Sequence, residues 1–221
     1  MHSPRITIIG AGLSGLYAAY LLEHYGITDY MVLEARDGLG GRIASINNEG
    51  RAIGHGTESV FTLNRFDLGP TWFWPDYQRE LDQLVSSLGL ERFSQFEMGD
   101  MVVERSPDAP AIRTRGYVNA PSSMRLVGGM GALIEALCRP VNPARVITGQ
   151  AVRMLRKHDS YVEIESEDAA NHITTWHTEH VLLALPPRLL ANSIAFDPAP
   201  GRWHWLLLAP KAAQAHPGQH P

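Results

Sequence analysis

A glycine-rich turn near the start of the sequence has the residue types and spacing of a diphosphate-binding loop. The stretch GAGLSG, which begins at Gly10, follows the pattern G-x-G-x-x-G. Gly10 allows a tight turn, Gly12 lets the backbone approach a pyrophosphate, and Gly15 lets the following helix pack close to its strand. The first turn of that helix offers unpaired N–H groups and a partial positive charge to phosphates. We therefore predict that this turn, including Leu13 and Ser14, contacts a dinucleotide.

An acidic residue that could bind the ribose of a dinucleotide follows the second predicted strand. Glu34 lies 19 residues after Gly15, directly after the apolar run YMVL. A carboxylate at the end of the second strand can accept hydrogen bonds from a ribose diol. Together these features predict dinucleotide binding. The glycine pattern alone also suits an ordinary glycine-rich loop, and it does not distinguish FAD from NAD.

The elements that must position these residues follow from the hydrophobic pattern. The β-branched run ITII before Gly10 predicts a strand, and the stretch after the turn predicts a helix that reaches Tyr25. Gly26 is a typical helix stop. YMVLEAR predicts a second strand that ends at Glu34. Strand, helix and strand in this order predict a βαβ unit and an α/β fold.

The segment LEARDGLGGRI, which includes the end of the second strand, resembles the flavin-containing amine oxidase family. That family follows its ribose acid with an arginine, a short loop, a Gly-Gly pair and a second arginine. The matching residues here are Glu34, Arg36, Gly40, Gly41 and Arg42. Adjacent glycines let a backbone fold against a diphosphate, and a nearby cation offsets its charge. The resemblance implies FAD as the cofactor. The plainer alternative is a β-turn with two solvated arginines.

A later stretch, FDLGPTWFWPDYQRELDQLVSSLGL, resembles the next segment of the family. The resemblance implies flavin contacts at Gly69, Pro70, Thr71 and Trp72. Consecutive residues cannot share one face, so at least one ring of the WFW run belongs to the core. The same stretch predicts a helix after Pro75, because apolar residues recur at helical spacing at Leu81, Leu84, Val85 and Leu88, with Asp76 as the cap and Gly89 as the stop.

The segment RLVGGMGALIEALCRP resembles the family's Gly-Gly-Met segment and predicts a helix with an apolar face at Leu133, Ile134 and Leu137. The stretches that begin at Arg145 and His172 predict a β-meander that returns to the nucleotide-binding domain. In the family, the residue matching Val152 contacts the adenine ring through its backbone. VLLALPPRLL matches the family strand that re-enters the main sheet.

These segments divide the chain into four parts. Residues 1–75 are predicted to form the FAD-binding βαβ unit with the Gly-Gly-Arg segment, and residues 76–123 a partial substrate-side region of helix and loop, irregular over 97–123. Residues 124–198 continue the FAD domain, and residues 199–221 are an atypical tail expected to be disordered. The predicted fold is therefore α/β, a Rossmann-like FAD-binding domain with a β-meander and part of a second, substrate-side region, with the C-terminal half of the family fold missing.

The tail differs in composition from the rest of the chain. Asp197 is the last acidic residue, and the family continuation F-x-P-x-L-P stops half complete. We expect a frameshift or a broken gene near Ala199; the alternative is a genuine short tail. The family's second half carries an active-site lysine and aromatic residues beside the flavin, which nothing here matches. We therefore expect a truncated, impaired enzyme and assign no catalytic residues.

Composition excludes several classes of function. The chain of 221 residues has a formal net charge of −4, which argues against nucleic acid as a partner. Cys138 is the only cysteine, so no internal disulfide forms, and the ten histidines show no metal-ligand spacing. Cys138 is expected to be an ordinary buried residue. The chain has no signal peptide pattern and no apolar run long enough to span a bilayer. We predict a cytoplasmic protein without metal or membrane partners; the sequence does not indicate its oligomeric state.

The resemblance implies an oxidoreductase that converts a small-molecule amine to an imine, with hydride transfer to FAD and reduction of oxygen to peroxide. Two alternatives remain open. The chain is compatible with a non-catalytic FAD- or nucleotide-binding remnant. Carotene desaturases and protoporphyrinogen oxidases share the same N-terminal motifs, so another flavoprotein of this superfamily also fits.

Arg42 provides a first test. A guanidinium binds a diphosphate through two parallel hydrogen bonds, whereas an ammonium supplies charge without that fork. We expect FAD affinity to fall from wild type to Arg42→Lys and again to Arg42→Ala, measured by titration with FAD. Equal affinities in the three proteins would assign Arg42 to a solvated turn.

Overall fold

The computed structural model describes residues 3–50, 65–96, 98–116 and 121–203. Most of the predicted tail, residues 204–221, therefore lies outside the described residues, as do parts of the predicted first and second segments. The strands run β1 Ile6–Ile9, β2 Tyr30–Leu33, β3 Ser45–Ile46, β4 Phe66–Asp67, β5 Arg92–Ser94, β6 Met101–Val103, β7 Ile112–Thr114, β8 Met124–Leu126, β9 Val146–Ile147, β10 Ala151–Lys157, β11 Val162–Glu167, β12 Ile173–Thr178, β13 His180–Leu183 and β14 Ala195–Asp197. The helices are α1 Leu13–His24, α2 Arg79–Ser87, α3 Gly131–Cys138 and α4 Pro187–Ser193, and two 3-10 helices cover Pro143–Arg145 and Pro200–Arg202.

A parallel four-stranded sheet forms the centre of the fold, in the order β13-β1-β2-β9. β1 and β2 are continuous apolar runs because both faces of a parallel sheet are covered. Ile8 and Val32 are fully buried. The predicted βαβ unit is confirmed, and so is the return of the chain to the main sheet, because β13 pairs with β1 in parallel register. The predicted Rossmann-like fold class is confirmed.

Helices α1 and α3 cover one face of this sheet. Leu16 of α1 packs in the same buried cluster as Leu133, Ile134 and Leu137 of α3, which are the three residues of the predicted apolar face. α1 ends at His24, one residue before the predicted end, with Tyr25 at the C-cap, and Gly26 follows with φ +71°, as expected of a helix stop. No helix in the described ranges is long and apolar enough to cross a membrane.

The β-meander covers the opposite face of the sheet. β12, β11 and β10 are antiparallel neighbours, and β14 joins β10 in parallel register. Leu155 and Ile164 of the meander pack in one buried cluster with Ile9, Met31 and Leu33 of the parallel sheet. The meander begins later than the sequence predicted, because β9, which continues directly from Arg145, pairs with β2 in the parallel sheet instead.

The start of the predicted tail packs against the second cluster. Trp203 is half-buried, and its ring meets the Phe196 ring edge to face at 5.6 Å. Its indole N–H donates to the Pro198 carbonyl oxygen at 2.7 Å. Residues 199–203 thus extend the packed structure beyond β14.

Helix α2 begins later than predicted. Asp76 does not cap it, because the backbone N–H groups of Tyr77 and Gln78 both donate to the Trp74 carbonyl oxygen and form a separate turn. The helix then starts at Arg79, with Gln78 at the cap position. Its predicted end is confirmed, since Gly89 has φ +67°.

The segment predicted as an irregular loop over 97–123 contains an exposed hairpin. β6 and β7 pair in antiparallel register, and Arg113 forms an ion pair with Asp100 at 2.8 Å. β8 then pairs with β5. The prediction missed these strands because they carry no alternating pattern: Val102 and Ile112 remain 72% and 50% exposed, so no buried face imposes a period on the sequence.

Cys138 has the ordinary role expected of it. It lies at the end of α3, partly buried against the first core cluster. Burial, together with the nearby Glu135 charge, raises the pKa of the Cys138 thiol to about 11. A thiol with this pKa is scarcely ionised near neutral pH and is therefore a poor nucleophile.

A charged cluster connects α1 to the start of β9. Glu23 accepts hydrogen bonds from the Tyr30 hydroxyl at 2.8 Å, the Asn142 N–H at 3.3 Å and the Arg145 guanidinium. Arg145 also lies 5.4 Å from the centre of the Tyr30 ring. Partial burial raises the pKa of Glu23, but the hydrogen bonds and the Arg145 charge outweigh it, so the pKa lies below its ordinary value.

This lowered pKa predicts a pH-dependent contribution to stability. A carboxyl whose pKa is lower in the folded state stabilises the protein above its unfolded pKa, and that contribution is lost as the pH falls through the folded pKa. We expect Glu23→Gln to lower the free energy of unfolding at neutral pH, with the difference from wild type shrinking below the ordinary glutamate value of 4.5. Urea unfolding at a series of pH values measures this. The exposed Glu104→Gln variant is the matched control, and a pH-independent difference for Glu23→Gln would contradict the assignment.

Candidate functional site

The predicted glycine turn lies at the carboxyl end of the parallel sheet. From β1 the chain proceeds to β2 on one side, and β13 later joins on the other side, so the strand order reverses at β1. Ligands of open α/β sheets bind at such a reversal, outside the carboxyl ends of the strands. Gly10 has φ +103°, and a Cβ there would lie 2.8 Å from the Ala184 carbonyl oxygen. The turn is therefore packed directly against the residues that follow β13.

Two glycines of the turn have different structural roles. A Cβ at Gly15 would lie 1.9 Å from the Gly10 carbonyl oxygen, so the turn itself requires glycine there. A Cβ at Gly12 would meet only the Gly41 Cα, at the ordinary contact distance of 3.9 Å. The fold alone therefore tolerates a small side chain at Gly12, and a requirement for glycine would have to come from a ligand.

The second glycine pair packs against the first turn. The Gly40 N–H donates to the Ala11 carbonyl oxygen at 2.8 Å, and Gly12 and Gly40 form a parallel β-bridge. Gly41 has φ +63°, and a Cβ there would lie 3.0 Å from the Gly12 Cα. The two segments form one cradle of bare backbone. Side chains would fill this cradle, so it suits a group that must approach the backbone closely, such as a diphosphate.

The Glu34 carboxylate holds the first turn in place. It is 6% exposed, and its Oε2 atom accepts a hydrogen bond from the Ala11 N–H at 2.7 Å. Its Oε1 atom accepts from the Arg36 N–H at 3.0 Å. The sequence analysis missed the bond to Ala11, although an acid directly after β2 and beside the turn is the signal that could have found it. Each oxygen keeps a further lone pair, so the predicted contact with a ribose stays compatible with these bonds.

The connection from β9 to β10 runs along the same edge. The Gln150 N–H donates to the Glu34 carbonyl oxygen at 2.8 Å, and the Gly149 N–H donates to the Arg36 carbonyl oxygen at 3.2 Å. These bonds bring the start of β10, with the buried Val152, beside the end of β2. An open cleft of about 500 Å³ lies here, lined among others by Arg36, Asp37, Gly149, Arg153, Asp168 and Asn171.

The predicted flavin-side segment meets the cradle at Arg42. A Cβ at Gly69 would lie 2.1 Å from the Arg42 carbonyl oxygen, so these two backbones are in direct contact. Pro70 and Thr71 follow, and Trp72 is 49% exposed. The prediction that the WFW run contributes to the core is confirmed, because the middle ring, Phe73, is 1% exposed.

The predicted site residues therefore lie along one edge of the parallel sheet. The glycine turn, Glu34 and the Gly40–Arg42 segment are joined by direct contacts. The 69–72 segment begins beside Arg42, and Val152 follows the connection that bonds to Glu34. The Arg42 side chain is exposed. Sequence reasoning did not find Asp67, whose carboxylate accepts hydrogen bonds from the Met130 N–H at 3.0 and 3.2 Å. Asp67 lies in the FDLG stretch that resembles the family, but nothing in the sequence indicates that it reaches a helix more than sixty residues later.

Comparison with known proteins agrees with this geometry. Residues 8–88 match the model of an NAD(P)-binding Rossmann-like domain, and residues 110–216 match that of flavin-containing amine oxidoreductases. The flavin-containing amine oxidase A of Sus scrofa is 32% identical over 143 residues. Together these matches support a flavin-containing amine oxidase family for this chain. The chain corresponds to the N-terminal portion of the family, and the family match extends to residue 216, through most of the predicted tail.

The chain spans only part of the length of the amine oxidases that it resembles. Polyamine oxidase 1 of Zea mays is 41% identical over 69 residues, which is 31% of this chain and 14% of the maize protein. The match to the pig enzyme covers 61% of this chain and 24% of that protein. Among solved structures, a triple mutant of putrescine oxidase superimposes with a TM-score of 0.66 at 19% identity, over 88% of this chain and 60% of that chain. The cyclohexylamine oxidase of Brevibacterium oxydans gives 0.66 at 17% identity, over 89% and 61%.

The amine oxidase family match and the glycine geometry generate a paired prediction. Gly12→Ala should leave the fold intact and weaken binding of FAD and ADP, because only a ligand needs the space above Gly12. Gly15→Ala should lower the thermal unfolding midpoint as well, because its Cβ collides with the Gly10 carbonyl oxygen. Calorimetric titration and thermal unfolding separate the two effects.

Gly38 is the matched control for these variants. A Cβ there meets nothing within 4 Å, so Gly38→Ala should bind as wild type does. If Gly12→Ala binds FAD and ADP as tightly as Gly38→Ala, the diphosphate does not lie over the cradle.

Proposed function

We propose that this chain binds FAD along the carboxyl edge of its parallel sheet. The observation that carries the proposal is the cradle in which Gly12 and Gly41 face each other without side chains. The diphosphate would lie on this cradle, near the N-terminus of α1, where the helix dipole favours negative charge. α1 has no acidic residue in its first turn, so no nearby carboxylate within the helix opposes an anion there.

The remaining predicted contacts extend this proposal to the two ends of FAD. Glu34 would accept hydrogen bonds from the ribose while it holds the Ala11 N–H. The adenine would lie at the start of β10, near Val152 and the open cleft. Arg36 and Arg42, both exposed, supply the positive charges near the diphosphate. Gly69, Pro70, Thr71 and Trp72 lie on the opposite flank, where they would meet the flavin.

We propose that the reaction is the oxidation of an amine to an imine. Held by the Gly12–Gly41 cradle and Glu34, FAD would supply a hydride acceptor for the carbon next to the amine nitrogen, and oxygen would be the final electron acceptor, giving hydrogen peroxide. The contribution of this chain is to bind and orient the cofactor, since the redox chemistry belongs to FAD. The family match and the amine, polyamine and putrescine oxidases among the relatives favour an amine over the carotenoid or porphyrinogen substrates of other flavoproteins.

We further propose that the 221 residues by themselves turn over amines weakly or not at all. The match covers only 60% of the putrescine oxidase chain, and no residue of this chain is assigned to proton transfer or to enclosing the flavin. A site open to water loses the orientation and the exclusion of water that raise the rate. The competing function is nucleotide binding without catalysis.

A cytoplasmic location and the absence of nucleic acid, metal and membrane partners remain part of the proposal.

A combined binding and turnover experiment tests the proposal. The 221-residue chain is mixed with FAD, and peroxide is measured with a panel of primary, secondary and polyamines. We expect FAD to bind in the wild type and to bind less tightly in Gly12→Ala, with peroxide no higher than that from free FAD.

Two other outcomes would each contradict one part of the proposal. Absence of FAD binding in a folded wild-type chain would contradict the proposed function. Saturable peroxide formation that is lost in Gly12→Ala would show a working oxidase and contradict the proposed impairment.

A further inference from the structure

The Asp67 carboxylate joins three segments that are distant in the sequence. Asp67 lies in β4, opposite Ser45 of β3. Its two oxygens accept from the Met130 N–H at 3.2 and 3.0 Å, and Oδ1 also lies 3.3 Å from the Ser45 hydroxyl, which donates to it. One side chain thus connects the strand that follows Arg42, the strand that precedes Gly69, and the residue before α3.

The contact at α3 is close and electrostatically favourable. Gly129 has φ +72°, and a Cβ there would lie 2.7 Å from the Asp67 Oδ1 atom, so the carboxylate is packed against bare backbone. Met130 stands at the cap position of α3 and supplies no side-chain cap. Asp67 therefore caps this helix from another part of the chain, where a negative charge also complements the helix dipole.

The same strand pair places the predicted flavin-side residues. The Leu68 N–H donates to the Ala44 carbonyl oxygen at 2.9 Å, and Gly69 is in contact with the Arg42 backbone. The other end of the predicted cofactor site has its own supports, because the first glycine turn is held by Glu34 and by the Gly40 N–H. Loss of Asp67 would thus loosen one flank of the site and leave the other in place.

We propose that Asp67 is a positioning residue for the flavin end of the cofactor. It fixes the 69–72 segment relative to α3, and it does not itself touch the adenosine end or the diphosphate. This inference rests on the proposed binding of FAD. It differs from a general stabilising role because it predicts a change in selectivity between two ligands that share the ADP moiety.

The experiment compares FAD with ADP in wild type and Asp67→Asn. Asparagine keeps the shape but removes the charge and replaces one acceptor oxygen with a donor group, which cannot accept from the Met130 N–H. We expect the dissociation constant of FAD to rise about tenfold, a change that corresponds to about 1.4 kcal/mol, while that of ADP stays within about twofold. The absorbance band of bound flavin should also shift toward that of free FAD.

The controls separate this proposal from the proposed function. Asp159→Asn, in the exposed turn between β10 and β11, should leave both affinities unchanged. Equal weakening of FAD and ADP in Asp67→Asn, or no change in either, overturns the positioning role. If wild type binds ADP but not FAD, the proposed function fails instead.

A second variant carries the test if Asp67→Asn does not fold. Ser45→Ala removes only the hydroxyl that donates to Asp67 and keeps the carboxylate. We expect a smaller loss of affinity in the same direction, for FAD and not for ADP. An unchanged ratio of the two dissociation constants in Ser45→Ala then overturns the inference.

Discussion

The structure of the site depends on the close approach of two bare backbone segments. Gly12 and Gly41 face each other at the carboxyl edge of the sheet, and the Gly40 N–H bonds to the Ala11 carbonyl oxygen. The buried Glu34 carboxylate accepts a hydrogen bond from the Ala11 N–H and so fixes the position of the turn relative to β2. Every atom in this arrangement belongs to the backbone or to one carboxylate, so its geometry does not depend on the packing of other side chains.

The flanks of the cradle are built by separate parts of the fold. On one side the β9–β10 connection follows Glu34 and Arg36 through backbone hydrogen bonds, and the meander packs beneath it on the second core cluster. On the other side Asp67 ties the strand pair β3–β4 to α3. In the proposed complex, different interactions would therefore position the two ends of FAD. Affinity for the nucleotide and orientation of the flavin could then change independently.

Local signals in the sequence predicted the elements that are buried. The limits of β1, the end of α1, the apolar face of α3 and the return strand β13 all follow from apolar periodicity and glycine stops, because burial imposes a period on the residues. The same reasoning failed where burial is slight. The β6–β7 hairpin is exposed and was not predicted. Helix α2 was predicted to start too early, because the residues before Arg79 form a separate turn although their types also suit the start of a helix.

The sequence by itself predicted the cradle residues and the acid that follows β2, because each depends on glycine or carboxylate at a fixed spacing, whereas the family was implied by a resemblance between segments. Only the tertiary structure decided which of the three rings at 72–74 is buried, and that β9 belongs to the parallel sheet. It also revealed that Asp67 caps α3. These outcomes depend on contacts between residues far apart in the chain. A carboxylate or an aromatic ring carries no local signal of the partner that it meets after folding.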